Sequence, residues 1–383
     1  MGNRFLPGAG IFFLFFMLFF PLDFLGDSQK KISLFVFGNL TERISKDIFN
    51  TNNARIDFSS DSISMFVLAI VLLIISLLMA LLLNRRYSRQ ILFFSKEIVI
   101  IYLAVVLMKY GFDKVFKTQF YLPEPNILYS RFGNLDKDIL FWSTMGTSRF
   151  YSISTGILEL LAALMILFRK TRVLGLLVSI GILINILFIN LGFDISVKSF
   201  SLILLLMAVF ALKDEWLQLY RFLVLKQKIQ LEEETEPGTK VLPLWISFKT
   251  AFVGLSLAAI LFPYVNDGNY NDDLVKRPFL HGAFKNRGEN SDIRYIFFHR
   301  KNYMILMDKD EKMTDFHYNQ GSKDQLILED YSGRRMNVRF FYKKKDSLLT
   351  LSFGKYVINA KELNWKKMNA LRPLFHIAIE SRK

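Results

Sequence analysis

Two runs without a single charged residue, Met65 to Leu83 and Val173 to Ile189, constrain this chain more than any other feature. A helix crossing a hydrocarbon core of roughly 30 Å needs about 17–25 such residues. A soluble chain of 383 residues would instead interleave apolar and polar positions at helix or strand spacing. The chain is therefore read as an integral membrane protein. It has no Cys, and its four His all lie beyond residue 280. That excludes Cys-ligated iron–sulfur clusters, CxxC redox pairs, disulfides and a His ligand pair inside the helices.

Seven apolar spans are predicted, near residues 8–25, 63–83, 97–116, 152–168, 173–191, 197–212 and 245–263. Arg85, Arg86, Arg89 and Lys96 follow the second span, and Arg169, Lys170 and Arg172 follow the fourth. The excess of Lys and Arg in these short connections marks both as cytoplasmic. Alternation then places the N-terminus with Arg4 inside, loops 26–62 and 117–150 outside, and everything after Pro263 outside. The segments are thus 1–96, two N-terminal spans with an outward loop; 97–212, a four-helix bundle; 213–244, a cytoplasmic linker with Glu232, Glu233, Glu234 and Glu236; 245–263, the last span; and 264–383, an extracytoplasmic β domain. A signal peptide is the rival reading of the first span. Its bulky Phe content, the bracketing Pro7 and Pro21 and the lack of a small-residue cleavage pattern favour a retained helix.

From about Ser291 the pattern becomes strand-like. Tyr303–Met307, Gln325–Leu328, Met336–Tyr342, Leu348–Phe353 and Tyr356–Asn359 are separated by turn-rich segments, which predicts antiparallel hairpins. A compact antiparallel sheet or partial barrel is expected, with Lys361–Leu371 and Trp365 as a lid. This tail carries 23 Lys or Arg against 15 Asp or Glu from Pro263 onward, so much of the excess charge faces outward. Lys343 to Lys345 reads either as a charged hairpin turn or as a contact for anionic head groups or polyanions. His299, His317 and His376 have no ligand spacing, and Asp308-Lys309-Asp310 lacks the Gly and terminal Glu of a calcium loop, so no metal is expected.

No nucleotide-binding, nucleophile-elbow or zinc-protease motif occurs, and nothing suggests a nucleic-acid partner. What remains is polar residues in apolar spans, which are costly and mark candidate sites. These are Lys109, Asp113, Lys114, Glu159, Asn185, Asn190, Asp194 and Lys198. Counted from the outward helix ends, they fall in the outer half of the bundle, with Lys109 and Glu159 at one depth. Glu159 is the key residue in this reading, with Lys109 or Lys198 as its partner. Lys109 and Asp113 are also i,i+4 neighbours able to satisfy each other. The set is either a paired network holding helices together or a ligand or proton site.

These residues carry a family resemblance over residues 100 to 212. Lys109-Tyr110-Gly111-Phe112-Asp113-Lys114, Thr155-Gly156-Ile157-Leu158-Glu159, Phe168 to Gly175, Asn185 to Asn190 and Phe193 to Ser201 together resemble the DoxX-like (DoxX/DoxD) membrane proteins. The likeness is to a longer bacterial form with an exported C-terminal domain. The resemblance implies a DoxX-type four-helix bundle, an inner-membrane location and association with membrane oxidoreductases of quinone and sulfur or thiol chemistry. Similar proteins place a His shortly after the Val-Lys segment, where this chain has Ile203, and that departure weakens an enzymatic reading.

The predicted fold class is therefore an all-α transmembrane bundle of about seven spans with a small C-terminal antiparallel β domain. Two functions follow. One is an accessory subunit of a membrane redox system that binds a quinone-like or lipid ligand, has no cofactor of its own, and relies on a partner carrying the redox centre. The other is a non-enzymatic scaffold or lipid-binding protein presenting the β domain to envelope partners. A transporter is disfavoured because no paired broken-helix repeat is visible.

Overall fold

Each apolar run folds as a helix, because hydrocarbon leaves a backbone no hydrogen-bond partner but itself. The structure, a computed structural model, describes residues 5–21, 27–49, 56–228, 242–288, 291–321, 324–354 and 356–373. Its helices are α1 (Phe5–Phe19), α2 (Asp27–Phe49), α3 (Ile63–Leu82), α4 (Arg85–Val115), α5 (Pro125–Tyr129), α6 (Lys137–Thr147), α7 (Arg149–Leu167), α8 (Arg172–Gly192), α9 (Lys198–Ala211), α10 (Trp216–Leu223) and α11 (Leu242–Asn266). Five of these, α3, α4, α7, α8 and α11, are long and apolar enough to cross a membrane. The other two predicted spans, α1 and α9, form apolar helices of 15 and 14 residues, short of a full crossing by themselves.

Three segments differ from expectation. The segment 26–62 is not all loop, since α2 occupies most of it. Its buried stripe is Gln29, Ser33, Phe37, Thr41 and Ser45, an i,i+4 row that is mostly polar and so carries no apolar signature. That row has a purpose. Gln29 Nε2 donates to the carbonyls of Met17 and Phe20 at 2.9 and 2.6 Å, and Ser33 Oγ donates to Phe19 O at 2.5 Å, serving the C-terminal carbonyls of α1. Helix α4 begins at Arg85 rather than near residue 97, because no Gly or Pro interrupts the chain from Arg85 to Tyr110. The linker 213–244 contains α10, while its acidic run Glu232 to Glu236 lies outside the described residues.

The chain divides into two compact units. The first is formed by the described residues of Met1–Val115 and Ser154–Tyr270, the second by those of Phe116–Ile153 and Asn271–Lys383. Ion pairs brace the first unit, and that of Arg172 with Glu97 is buried on both sides. Arg172 Nη1 meets Glu97 Oε1 at 3.0 Å, and Lys96 Nζ meets Asp214 and Glu215 at 2.9 and 3.3 Å. Two of the basic flanking residues are therefore interior braces.

The second unit is built on strands β1 (Gly282–Asn286), β2 (Ile293–Phe298), β3 (Tyr303–Asp308), β4 (Met313–Gln320), β5 (Gln325–Glu329), β6 (Arg335–Lys343), β7 (Leu348–Phe353) and β8 (Tyr356–Leu363). All neighbours pair antiparallel, and β1 also pairs with β8. The expected sheet or partial barrel is thus a closed eight-stranded barrel that starts before Ser291. Its interior is solid, filled by Phe284, Ile296, Phe298, Met304, Leu326, Leu328, Val338, Phe340, Leu349 and Leu351, as an eight-stranded barrel permits. Lys343 to Lys345 lies at the β6–β7 connection, where Lys343 pairs with Asp346 at 2.5 Å.

Strands β1 to β3 are apolar on both faces because they carry a second layer. Ala283, Phe297, Ile305 and Met307 alternate with the interior residues and meet Leu122, Leu128, Tyr129 and Trp365 on the outside. Trp365 therefore covers a flank of the barrel, not its mouth. Tyr129 of α5 lies 5.1 Å from the Tyr295 ring and 5.7 Å from that of Phe297. The presumed outward loop 117–150 is consequently a structured part of this unit. Residues 271–383 expressed alone are expected to bind a hydrophobic dye and to melt without a cooperative transition. Joining residues 116–153 through a flexible linker should suppress the dye signal, whereas a dye-silent, cooperatively melting 271–383 fragment would contradict this packing.

Candidate functional site

Seven of the eight polar residues marked in the spans separate into three groups. Lys114 Nζ donates to both oxygens of Glu159, at 2.6 and 2.7 Å, with both side chains buried. Neither Lys109 nor Lys198 is the partner of Glu159. The cause lies one turn away, where a Cβ on Gly156 would come within 2.6 Å of Gly111 O and 2.9 Å of Lys114 Cβ. Two glycines thus let α4 and α7 touch backbone to backbone, as small residues do in membrane helices. Lys114 and Glu159 each stand three residues beyond those glycines. Because helix side chains lean toward their own N-terminus, both bend back toward the crossing and meet.

Lys109 pairs with Asp113, which also accepts a hydrogen bond from Tyr264 of α11. The third group ties α8 to α9. Asn190 Nδ2 donates to Ser201 Oγ at 3.1 Å, and Asp194, at φ +53°, meets Lys198 Nζ at 2.7 Å. Asp61, which hydropathy did not mark, accepts from the backbone N–H groups of Lys198 and Ser199 at 2.7 and 2.9 Å and so caps α9. Asn185 is exposed on α8 and belongs to none of these groups.

Breaking a buried pair strands a charge and costs about 3–5 kcal/mol. Glu159→Gln and Lys114→Met are each expected to lower the melting temperature in detergent by several degrees, with the double variant recovering a large part of the loss. Additive losses would show that the two side chains do not depend on each other.

A denser site lies in the second unit. Glu124, at the start of α5, is buried and its Oε2 meets His281 Nε2 at 2.9 Å and the Arg300 backbone N–H at 3.3 Å. Asp272 is buried between Arg277 and Arg300, whose Nη2 atoms lie 2.7 and 2.6 Å from its carboxylate. The Arg300 guanidinium stacks 4.2 Å from the Tyr121 ring centroid, and its Nη1 is buried without a partner. Beside this network opens a cavity of about 500 Å³, walled by Tyr121, Pro123, Ile127, Ile139 and Trp142 and lined by Gln119, Glu124, Asn126, Asp138, Ser143 and His299. Gln119 Oε1 and Asn126 Oδ1 are buried with no hydrogen-bond partner. A mostly apolar wall with a few convergent polar groups is the usual make-up of a small-molecule site.

Charge reinforces that picture. Burial pushes the Glu124 carboxyl up, but the His281 hydrogen bond, the His299 and His281 charges and the Arg300 amide outweigh it, and Glu124 lies below its ordinary value. Asp272 is likewise lowered, as its hydrogen bond from Arg277 and the Arg300 charge overcome burial. Burial pushes His299 down despite Glu124 nearby. Asp273 has the opposite sign, raised by burial against the pull of Lys117.

The linkage follows directly. A depressed His is neutral when folded but takes a proton when unfolded, so stability falls as pH drops below about 6.5. Depressed Glu124 and Asp272 contribute stability above about 4.5 and 3.8, lost as pH falls through their lower folded values. The barrel's thermal midpoint by circular dichroism should decline from pH 7 to 5, and His299→Gln should flatten that interval. An unchanged slope in His299→Gln would contradict the assignment.

Glu124, Asp272, His281 and Arg300 escaped the reading of the sequence because they come from segments up to 176 positions apart. One signal was available: Phe116, Phe120, Tyr121, Phe132, Phe141 and Trp142 make the 117–150 region and its edge too aromatic for a solvated loop.

No protein-family model matches the chain, and no solved structure matches it. The "Uncharacterized protein YwoB" of Bacillus subtilis (strain 168) is 32% identical over 123 residues, which covers 32% of this chain and 76% of that protein. At that identity and coverage the chain belongs to the family of YwoB.

Proposed function

We propose that this is a multi-pass protein of the bacterial cytoplasmic membrane whose helical unit is an anchor and whose second unit binds a ligand on the extracytoplasmic side. The observation that carries the reading is that two unpartnered amide oxygens line one cavity of the second unit, whereas the bundle's unpartnered Tyr102 Oη stands within α4. Within the bundle, Glu159 and Asp113 are answered by Lys114 and by Lys109 with Tyr264. The buried polar atoms Gln119 Oε1 and Asn126 Oδ1 instead line the second unit's cavity. An unpartnered buried polar group costs about 1–3 kcal/mol, so retaining two beside one cavity favours a ligand role for it.

The sidedness has its own support. Residues 116–153 and 271–383 pack as one unit and so share one side of the membrane. Lys249 of α11 donates to Leu167 O at the end of α7, while Tyr264 at its other end reaches Asp113 at the end of α4. These ties fit alternating helices with N-terminus and residues 213–244 inside. The short helices α1 and α9 then complete seven membrane-embedded segments, with α1 extended by Phe20 and by the carbonyl caps from α2.

A second reading is a DoxX-type accessory subunit of a redox system. It is favoured by Lys109 and Asp113, whose side chains remain 23% and 15% exposed, since the Lys109 ammonium has N–H donors beyond the one Asp113 accepts and these suit a quinone-like carbonyl. Quinone co-purifying with the protein and lost in Asp113→Asn would favour this second reading over the first.

Two measurements test the main proposal. Asn126→Leu removes an unsatisfied amide oxygen while keeping the side chain's branched shape, and its added bulk can extend into the cavity, so the melting temperature should hold or rise. A fall of several degrees would mean that Asn126 is structural. Reporter fusions after Arg89 and after Lys383 should score cytoplasmic and extracytoplasmic respectively, and the reverse result at either position rejects the topology.

A further inference from the structure

We infer that the second unit's cavity binds a neutral, hydroxyl-rich ring, a saccharide unit. This rests on the proposal that the cavity is a ligand site, and adds the chemistry of the ligand. Its volume of about 500 Å³ falls within the roughly 300–1,000 Å³ of small-molecule sites. The unpartnered Gln119 Oε1 and Asn126 Oδ1 are acceptors, and the Glu124 and Asp138 side chains beside them carry acceptor-only carboxylates when ionised. A ligand that satisfies them must be rich in donors. Rotating either amide exchanges its acceptor for a donor, and a hydroxyl serves both arrangements.

Charge and shape narrow the class further. Two carboxylates lining one cavity oppose an anion. Glu124 already holds His281 and Arg300 occupies a face of Tyr121, which leaves Asp138 and Trp142 as the groups open to a cation, and a cation is the competing ligand that the test has to separate. Trp142 lines the same cavity as the two amides. An aromatic wall facing hydrogen-bonding amides suits a ring that is apolar on its face and hydroxylated on its rim. A pyranose has both.

The test uses the full chain in lipid nanodiscs, since alkyl maltosides and glucosides carry competing sugar heads. Saturation-transfer NMR and calorimetry are run with maltotriose, cellotriose and chitotriose, with choline as the cationic probe. Saturable binding of at least one saccharide is expected, weakened at least tenfold in Asn126→Leu and in Trp142→Ala, with no choline binding. Trp142→Phe, which keeps a stacking face, should retain a large part of the affinity even if Trp142→Ala fails to fold. Choline binding, no saccharide binding, or saccharide binding indifferent to all three variants overturns the inference. The melting of Asn126→Leu separates the two levels. If it matches or exceeds the parent while no saccharide binds, the cavity remains a ligand site and only the ligand class falls; if it drops, the ligand-site reading itself fails.

Discussion

A charge inside a bundle that lipid surrounds must find its opposite, and the contact between Gly111 and Gly156 makes that possible here. It brings α4 and α7 close enough for the Lys114 ammonium to bridge both oxygens of Glu159. Without the glycines, a Cβ would push the helices apart and leave two charges stranded in a medium that strongly penalises them. The same logic runs through the unit: Arg172 with Glu97, Lys96 with Asp214 and Glu215, Asp61 on the N-terminus of α9. Each contact joins segments distant in sequence, so polar and charged residues specify how the helices pack.

The second unit solves a different problem. Its barrel is closed and filled by apolar side chains, so a ligand site of the proposed kind falls on its flank. The segment 116–153 provides that flank, covering Phe297 and its neighbours with α5 while placing Gln119, Asn126 and Trp142 around a cavity. Glu124 and Asp272 hold His281, Arg277 and Arg300 in place beside it. Rigid supports of this kind suit a site whose remaining polar atoms are left open for a ligand.

Much of the helical framework was legible because apolar runs announce membrane helices directly. So were strands β3, β5, β6, β7 and β8, where turn residues bracket β-rich segments. Strand β2 was obscured because it is apolar on both faces, β4 because it is largely polar, and β1 because Gly282, Lys285 and Asn286 leave it little β-rich sequence. Helix α2 was missed since its buried stripe is polar. Glu159 was legible as a costly acid, but its partner was not. Depth counted along a helix pointed to Lys109, whereas the lean of both side chains toward the glycine crossing selects Lys114. The cavity was the least legible feature, since its lining comes from residues 119–143, read as an outward loop, together with the distant His299.

Native mass spectrometry of the protein released from membrane nanodiscs tests most directly whether the bundle is support and the cavity is the site. The comparison is between the Lys114→Met, Glu159→Gln double variant and Asn126→Leu. The double variant should keep the bound small molecules of the parent while Asn126→Leu loses them. Loss from the double variant with full retention by Asn126→Leu would place the site in the bundle and contradict the division of roles.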